Sequence, residues 1–208
     1  MVPRHSAGAA KPYTALTAYP APVHETSVEL IETARLDLVS MSPSFLDALL
    51  DGRRDEAAAL LGAAVPDEFP NEHDAGFLAL RLRQMRKDPS WQECLVRAVV
   101  LRGDGRPMIG HAGFHGPPGV NGVQAPDALE IGYTIFEPHR GRGYASESAK
   151  GLLEWARAEL GITHFVASAT PDNAPSLAII RRLRFVETGE QWDEEDGREL
   201  VWELHLDD

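Results

Sequence analysis

Arg140, Gly141, Arg142, Gly143, Tyr144 and Ala145 make a short, basic, glycine-rich turn whose residue types and spacing point directly to chemistry. An apolar strand pattern (Leu129, Ile131, Tyr133, Ile135) runs into it and a helix pattern runs out. Such a turn aims backbone N–H groups, at the positive end of a helix, towards an anion, usually a phosphate or pyrophosphate. Arg140 and Arg142 add charge where that anion would sit. Gly141 and Gly143 remove the Cβ atoms that would block close backbone approach. The turn is not the dinucleotide fingerprint G-x-G-x-x-G, and no Gly-Lys-Ser/Thr follows to make a P-loop. It reads Arg140-x-x-Gly143-x-Ala145.

The elements that must hold this turn follow from periodicity and punctuation. Leu36 and Leu38 mark a first strand. Ser42 is an N-cap with Pro43 in the first turn, and helical spacing continues to Leu61 with a break at Gly52. Pro66 to Pro70 form a loop, and Ala75, Leu78, Leu82 and Met85 set a helix over Glu72 to Lys87. Strands over Cys94 to Leu101 and Met108 to His115 flank a hairpin-like turn at residues 102–107. A long loop from Gly116 to Asp127 leads into the strand Ala128 to Phe136. After the turn, Ala145, Ala149, Leu152, Leu153, Ala156 and Leu160 line one helix face, which Gly161 ends. A strand at His164 to Ala169 and a helix from Asn173 to about Arg182 follow. Strands over Phe185 to Thr188 and Glu199 to Leu206, joined by the acidic loop Asp193 to Gly197, close the chain. Hairpins followed by strand–helix–strand–helix–strand predict a mixed α/β layer fold. Residues 1–30, rich in Ala, Pro and Thr, read as an extension, and residues 31–208 as one domain.

Bulk properties narrow the function classes. With 208 residues and 43% apolar content, the chain is long enough for one sizeable core. Its net charge of −12 argues against general nucleic-acid binding and favours a cationic partner such as an amine. Within residues 139–151 the sign reverses, with Arg140, Arg142 and Lys150 against Glu147. No apolar run is long enough for a membrane span, and the N-terminus lacks the continuous apolar stretch of a secretory signal. The single cysteine, Cys94, has no internal disulfide partner and reads as a buried structural thiol, which fits a cytoplasmic setting. His111 and His115 share one face of their strand by its period of two. With no cysteine or carboxylate cluster beside them in the sequence, no metal site is expected there.

Ile109-Gly110-His111, Glu130-Ile131-Gly132-Tyr133, the Arg140-to-Ala145 turn and Asn173-Ala174-Pro175-Ser176 together resemble the GNAT superfamily of acetyl-CoA-dependent N-acetyltransferases. The resemblance covers residues 32–206, and Glu-Ile-Gly-Tyr before a Gly-x-Gly-Tyr-Ala turn is most like the ribosomal-protein N-terminal (RimJ/RimL-like) subgroup. It implies a mostly antiparallel sheet of about six or seven strands, flanked by helices and splayed between the fourth and fifth strands, commonly at a bulge. It also implies acetyl-CoA as co-substrate, with its pyrophosphate on residues 140–145. Backbone groups of Thr134, Ile135 and Phe136 would hold the pantetheine arm and the thioester oxygen. Asn173 would bond the same arm or cap its helix. Glu130 is the implied general base, and Ser176 would protonate the leaving thiolate; a strand-end carboxylate and a helix cap are the plainer readings of those two. His111 or His115 could serve as base instead, or line the acceptor site.

Two departures stand out. The helix Leu177-Ala178-Ile179-Ile180-Arg181-Arg182 lacks the tyrosine that many relatives use as general acid. Leu183-Arg184-Phe185 places arginine where relatives usually have glycine. The acceptor is an amine, either a protein N-terminus or lysine or a small molecule such as an antibiotic or polyamine, attacked directly with no cysteine intermediate. Residues 43–90, the 116–127 loop and the 193–197 loop would form its surface. A non-catalytic coenzyme-A-binding regulatory module is the alternative, and many relatives form homodimers.

Overall fold

The computed structural model describes residues 28–194 and 196–206, so the expected N-terminal extension falls, apart from its last three residues, outside the described residues. The elements in chain order are β1 (Ile31–Glu32), β2 (Leu36–Ser40), α1 (Pro43–Leu50), α2 (Arg54–Leu61), α3 (Glu72–Lys87), β3 (Arg97–Leu101), β4 (Met108–Phe114), β5 (Ala128–Ile135), α4 (Tyr144–Leu160), β6 (His164–Ala169), α5 (Ala174–Arg182), β7 (Val186–Asp193) and β8 (Gly197–His205). The eight strands form one open sheet in the order β1-β2-β3-β4-β5-β6-β8-β7. Every neighbouring pair is antiparallel except β5 and β6, which are parallel.

Local signals explain the helix boundaries. Ser42 Oγ accepts from Phe45 N at 3.2 Å and Pro43 opens α1. Asn71 and Asp74 cap α3 reciprocally, each side chain accepting from the other's backbone N–H. Gly161 stops α4 in the left-handed region at φ 67°. The apolar faces then choose sides of the sheet. Leu152, Ala156 and Ile180 from α4 and α5 pack with Phe165 and Trp202 on one face. Phe45, Leu78 and Leu82 from α1 and α3 pack with Val100 and Met108 on the other. Cys94 lies buried before β3, and burial pushes its thiol up to about 11, as a structural thiol requires.

The sheet opens at one place. β5 and β6 pair only through Ala128↔His164, Leu129↔Phe165 and Glu130↔Val166. Beyond Glu130 the strands part, and residues 131–135 keep only β4 beside them. These are the fourth and fifth strands of the sequence reading, shifted by one because Ile31–Glu32 adds a short edge strand. The β4–β5 register runs without a shift from Gly110↔Ile135 to Phe114↔Ile131, so the parting needs no bulge on that side. The closing hairpin also differs from expectation. β7 extends to Asp193 rather than stopping near Thr188, and β8 begins at Gly197. β7 is an edge strand exposed along most of its length, so its ladder with β8 forms without the apolar alternation that a sequence reading relies on.

Candidate active site

The basic turn is shaped by its glycines. Gly141 and Gly143 adopt φ of 73° and 83°, a region costly for other residues, and Gly143 caps α4. The turn closes one end of a cavity of about 670 Å³ whose walls are the free edge of β5 and the start of α5. Thr134, Ile135, Arg140, Gly141, Gly143, Tyr144, Ala145, Asn173 and Ser176 all line it. Most of the expected coenzyme-binding residues therefore converge on the gap between β5 and β6.

Four of the expected residues contribute in a different form. Phe136 donates its N–H to the Ile109 carbonyl at 2.9 Å, and its ring packs on Phe69, so Phe136 stands outside the cavity. N–H groups along a strand alternate in direction, so Thr134 also points at β4, while Tyr133 and Ile135 turn theirs into the gap. Arg140 turns back to donate from Nε to the Ile135 carbonyl at 2.8 Å, which braces the turn against β5. Arg142 faces a neighbouring surface shared with Arg35, Lys150, Arg182 and Arg184. Arg184 adopts φ 69°, the left-handed conformation that a glycine-favouring position demands.

Arg35 has no signal in the sequence, because nothing in a strand-flanking arginine marks its distant partners. Its Nη1 donates to the Arg142 carbonyl at 3.1 Å, its Nε to Glu147 at 2.7 Å, and its guanidinium stacks 4.5 Å from the Tyr144 ring centroid. Thr33 Oγ1 and Arg35 N also donate to Glu147. Burial acts to raise the Glu147 carboxyl, but these donors hold it below its ordinary value. The β1–β2 corner is thereby locked to the first turn of α4.

On the other side of β5, two further cavities of about 520 and 460 Å³ share His115, Gly132, Tyr133 and Asp196, and so form one groove. Glu130 lies in its floor, 3% exposed. Its Oε2 accepts from Gly122 N at 2.7 Å and lies 3.5 Å from His115 Nδ1, while its Oε1 accepts from Ser168 Oγ at 2.9 Å. Burial acts to raise this carboxyl, and its His115, Gly122 and Ser168 partners outweigh that, leaving it below its ordinary value. The His115 side chain is 45% exposed and stands over Gly132. Arg81 of α3 anchors the His115 carbonyl at 2.7 Å. His111, on the same strand face, lines the smaller of the two cavities but is packed among Phe69, Phe77 and Phe136, with Asp74 at 3.8 Å from its Nε2. The groove's far wall carries Asp193, Asp196 and Glu199. Burial, reinforced by Asp193, Glu130 and Asp196, raises the Glu199 carboxyl above its ordinary value.

Tyr133 lines the turn cavity and both parts of the groove. Burial pushes its hydroxyl up to about 12, and that hydroxyl lies 3.5 Å from the Ser176 carbonyl. The signal for it was present in the Glu-Ile-Gly-Tyr run: a period of two sends Tyr133 to the face opposite Glu130. Asn173 does cap α5, accepting from Ser176 N at 3.2 Å, and also lines both the cavity and the groove.

Comparisons with known proteins identify the family and the fold. The family model described as Acetyltransferase (GNAT) domain matches residues 35–186. The uncharacterized N-acetyltransferase YjdG of Bacillus subtilis strain 168 is 29% identical over 167 residues, covering 76% of this chain and 89% of its own. An acetyltransferase structure from Agrobacterium tumefaciens C58 superposes with a TM-score of 0.57 at 23% identity, over 90% of this chain and 100% of its own. RimL, a ribosomal L7/L12 α-N-protein acetyltransferase solved in complex with coenzyme A, gives a TM-score of 0.57 at 21% identity, over 86% of this chain and 99% of its own. The two structural likenesses concern the fold. The family match spans most of the chain: this protein belongs to the GNAT acetyltransferase family and is an acetyl-CoA-dependent acyltransferase.

Proposed function

We propose that this protein moves the acetyl group of acetyl-CoA to the α-amine of a polypeptide, as RimJ/RimL-like enzymes do. The observation that carries the reading is the meeting of three cavities at Tyr133. One side offers a cradle for a coenzyme and the other a long acidic groove, and Tyr133, Asn173 and Ser176 line both.

The coenzyme cradle fits its ligand by chemistry. The αL glycines and the N-terminus of α4 suit a pyrophosphate. The surface of Arg35, Arg142, Lys150, Arg182 and Arg184 suits a further phosphate. The N–H groups of Tyr133 and Ile135 suit the amide-bearing pantetheine arm and the thioester oxygen. Bound acetyl-CoA supplies an activated acyl carbon and a thiolate leaving group.

The chain's own residues handle the protons. Glu130 is the acidic member of the base, and we assign it the task of holding His115 through Nδ1. His115 Nε2 then faces the groove to take the proton of the incoming amine. A buried carboxylate with three partners and a lowered pKa is a poor proton acceptor alone, but it steadies the imidazolium that forms. With no tyrosine in α5, the Tyr133 hydroxyl takes the part of hydrogen-bond donor to the leaving sulfur, with Ser176 beside it. Its high pKa keeps it protonated for that task. The acidic wall at Asp193, Asp196 and Glu199 draws a cationic N-terminus, and a groove built from two merged cavities suits an extended chain.

Calorimetric titration with acetyl-CoA, followed by thiol release across a panel of peptides and small amines, tests the reading. Binding with release on peptides supports it, and release only on small amines replaces the acceptor. Binding with no release would leave a coenzyme-binding module. Gly143→Trp abolishes binding, whereas Glu130→Gln leaves binding intact and lowers turnover.

A further inference from the structure

Away from the groove, His164, Glu203 and His205 stand together on one face of the sheet. Residues i and i+2 of a strand share a face, which aligns Glu203 with His205 on β8. His205 is paired directly across the ladder with His164 of β6. One ligand atom from each of the three residues falls within 4.8 Å of the other two. We propose that these three side chains form a zinc site, with Asp127 as its outer-shell support.

The hydrogen bonding at His164 carries the argument. Its Nδ1 lies 3.3 Å from Asp127 Oδ1 and its Nε2 lies 2.7 Å from Glu203 Oε2. A neutral imidazole has one N–H. With the N–H on Nε2, it donates to Glu203 and the Nδ1 lone pair faces Asp127 Oδ1; with the N–H on Nδ1, the Nε2 lone pair faces Glu203 Oε2, so either tautomer leaves one lone pair against a carboxylate oxygen that a cation would relieve. Either a second proton or a metal supplies it. His205 Nε2 lies 3.9 Å from the same Glu203 oxygen, and the two imidazoles stack with centroids 4.1 Å apart. Two imidazoles and one carboxylate oxygen thus lie side by side, within a side-chain rotation of a shared ion.

Zinc bound by nitrogen and oxygen at about 2.0–2.1 Å spaces its ligands about 3.3–3.4 Å apart in a tetrahedron. The His164–Glu203 contact must open slightly and His205 must swing inward. His205 is free to do so, its side chain being 66% exposed, whereas His164 is held at 10%. Asp127 fixes the tautomer that presents Nε2, the usual partner of a metal-bound histidine. Two histidines and one carboxylate leave the fourth position to water. Asp127 also ends the loop whose Gly122 N–H holds Glu130, so the metal would clip that loop to β6 and β8.

The full-length chain, stripped with chelator, is titrated with zinc by calorimetry at pH 7.5, and with cobalt(II) by visible absorption. The expected result is one zinc per chain and the intense bands of a tetrahedral cobalt site. His205→Ala, an exposed change that leaves the fold intact by circular dichroism, weakens binding at least tenfold. Asp127→Asn weakens it roughly 10- to 100-fold. Absent binding, or zinc affinity unchanged in both variants, overturns the proposal. In the first case the pair is an imidazolium held by carboxylates, and in the second the metal sits on other histidines.

Discussion

Replacing Gly132 by alanine tests the assignment of His115 with a single methyl group. An ideal Cβ at Gly132 would lie 3.2 Å from His115 Nε2 and 3.6 Å from its Cδ2. Comfortable heavy-atom contact is about 3.5–4.0 Å, so the imidazole must withdraw by several tenths of an ångström. Its backbone cannot follow, because His115 N donates to Glu130 O at 2.8 Å and Arg81 grips the His115 carbonyl at 2.7 Å. The ring must rotate instead, which moves Nε2 away from the groove and loosens Nδ1 from Glu130. A misplacement of about 1 Å costs about 10²-fold, so a part of that shift predicts a fall in kcat of about 10- to 100-fold. That is about 1.4–2.7 kcal/mol on the barrier. The fold should not suffer. Gly132 is paired with Gly113, which offers no side chain to clash, and alanine in a strand interior is favoured over glycine by about 0.5–1 kcal/mol. Steady-state kinetics on a peptide acceptor, acetyl-CoA titration and thermal melting together make the assay. The expected pattern is reduced kcat, unchanged acetyl-CoA affinity and a Tm equal to or above the parent. A kcat within twofold of the parent would refute His115 as the proton acceptor.

Gly143→Ala forces a side chain into φ 83°, costing about 1–2 kcal/mol, and should weaken acetyl-CoA binding about tenfold in the same titration while kcat at saturating coenzyme changes little. Arg184→Gly relieves a non-glycine residue at φ 69° and removes a charge beside Arg142, so Tm should rise slightly, and coenzyme affinity should fall less steeply than in the parent as salt is raised. Asp37 is 4% exposed and bonds Arg102 Nε at 2.6 Å and Arg106 Nη1 at 2.7 Å. Asp37→Asn leaves both arginines without their shared carboxylate and should cost about 2–3 kcal/mol in urea denaturation at pH 7. Burial raises this carboxyl, but Arg102 and Arg106 more than offset it, so its folded pKa lies below the ordinary 3.8. A depressed carboxylate stabilises the fold above its unfolded pKa, and the contribution fades as pH falls through the folded value. The parent should therefore lose more stability than Asp37→Asn between pH 4 and pH 2.

The order of most elements was legible from the chain because they carry local marks, which the edge strands β1 and β7 lack. Pro43 after Ser42, the Asn71–Asp74 box and Gly161 fix helix ends within a few residues, and they do so whatever the rest of the molecule does. The basic turn was legible for the same reason, since glycine at positive φ is a property of the backbone at that point. Resemblance to a known family then supplied the gap between β5 and β6 and the residues beside it.

Tertiary structure alone decided the rest, because those features are relations between distant segments. Nothing in residues 33–35 reveals that they clasp Glu147, more than a hundred positions on. Strand direction, not residue type, sent the Phe136 N–H to Ile109 and the Tyr133 and Ile135 groups into the opening. Packing set His111 among aromatic rings with its side chain 11% exposed and left His115 45% exposed, although the two are equivalent in the sequence. The pairing of His164 with His205 likewise exists only in the ladder. Sequence wrote the local backbone and the charge of the ligand it awaits. The side chains that meet across the sheet were chosen by register, which is set when all the strands pack at once.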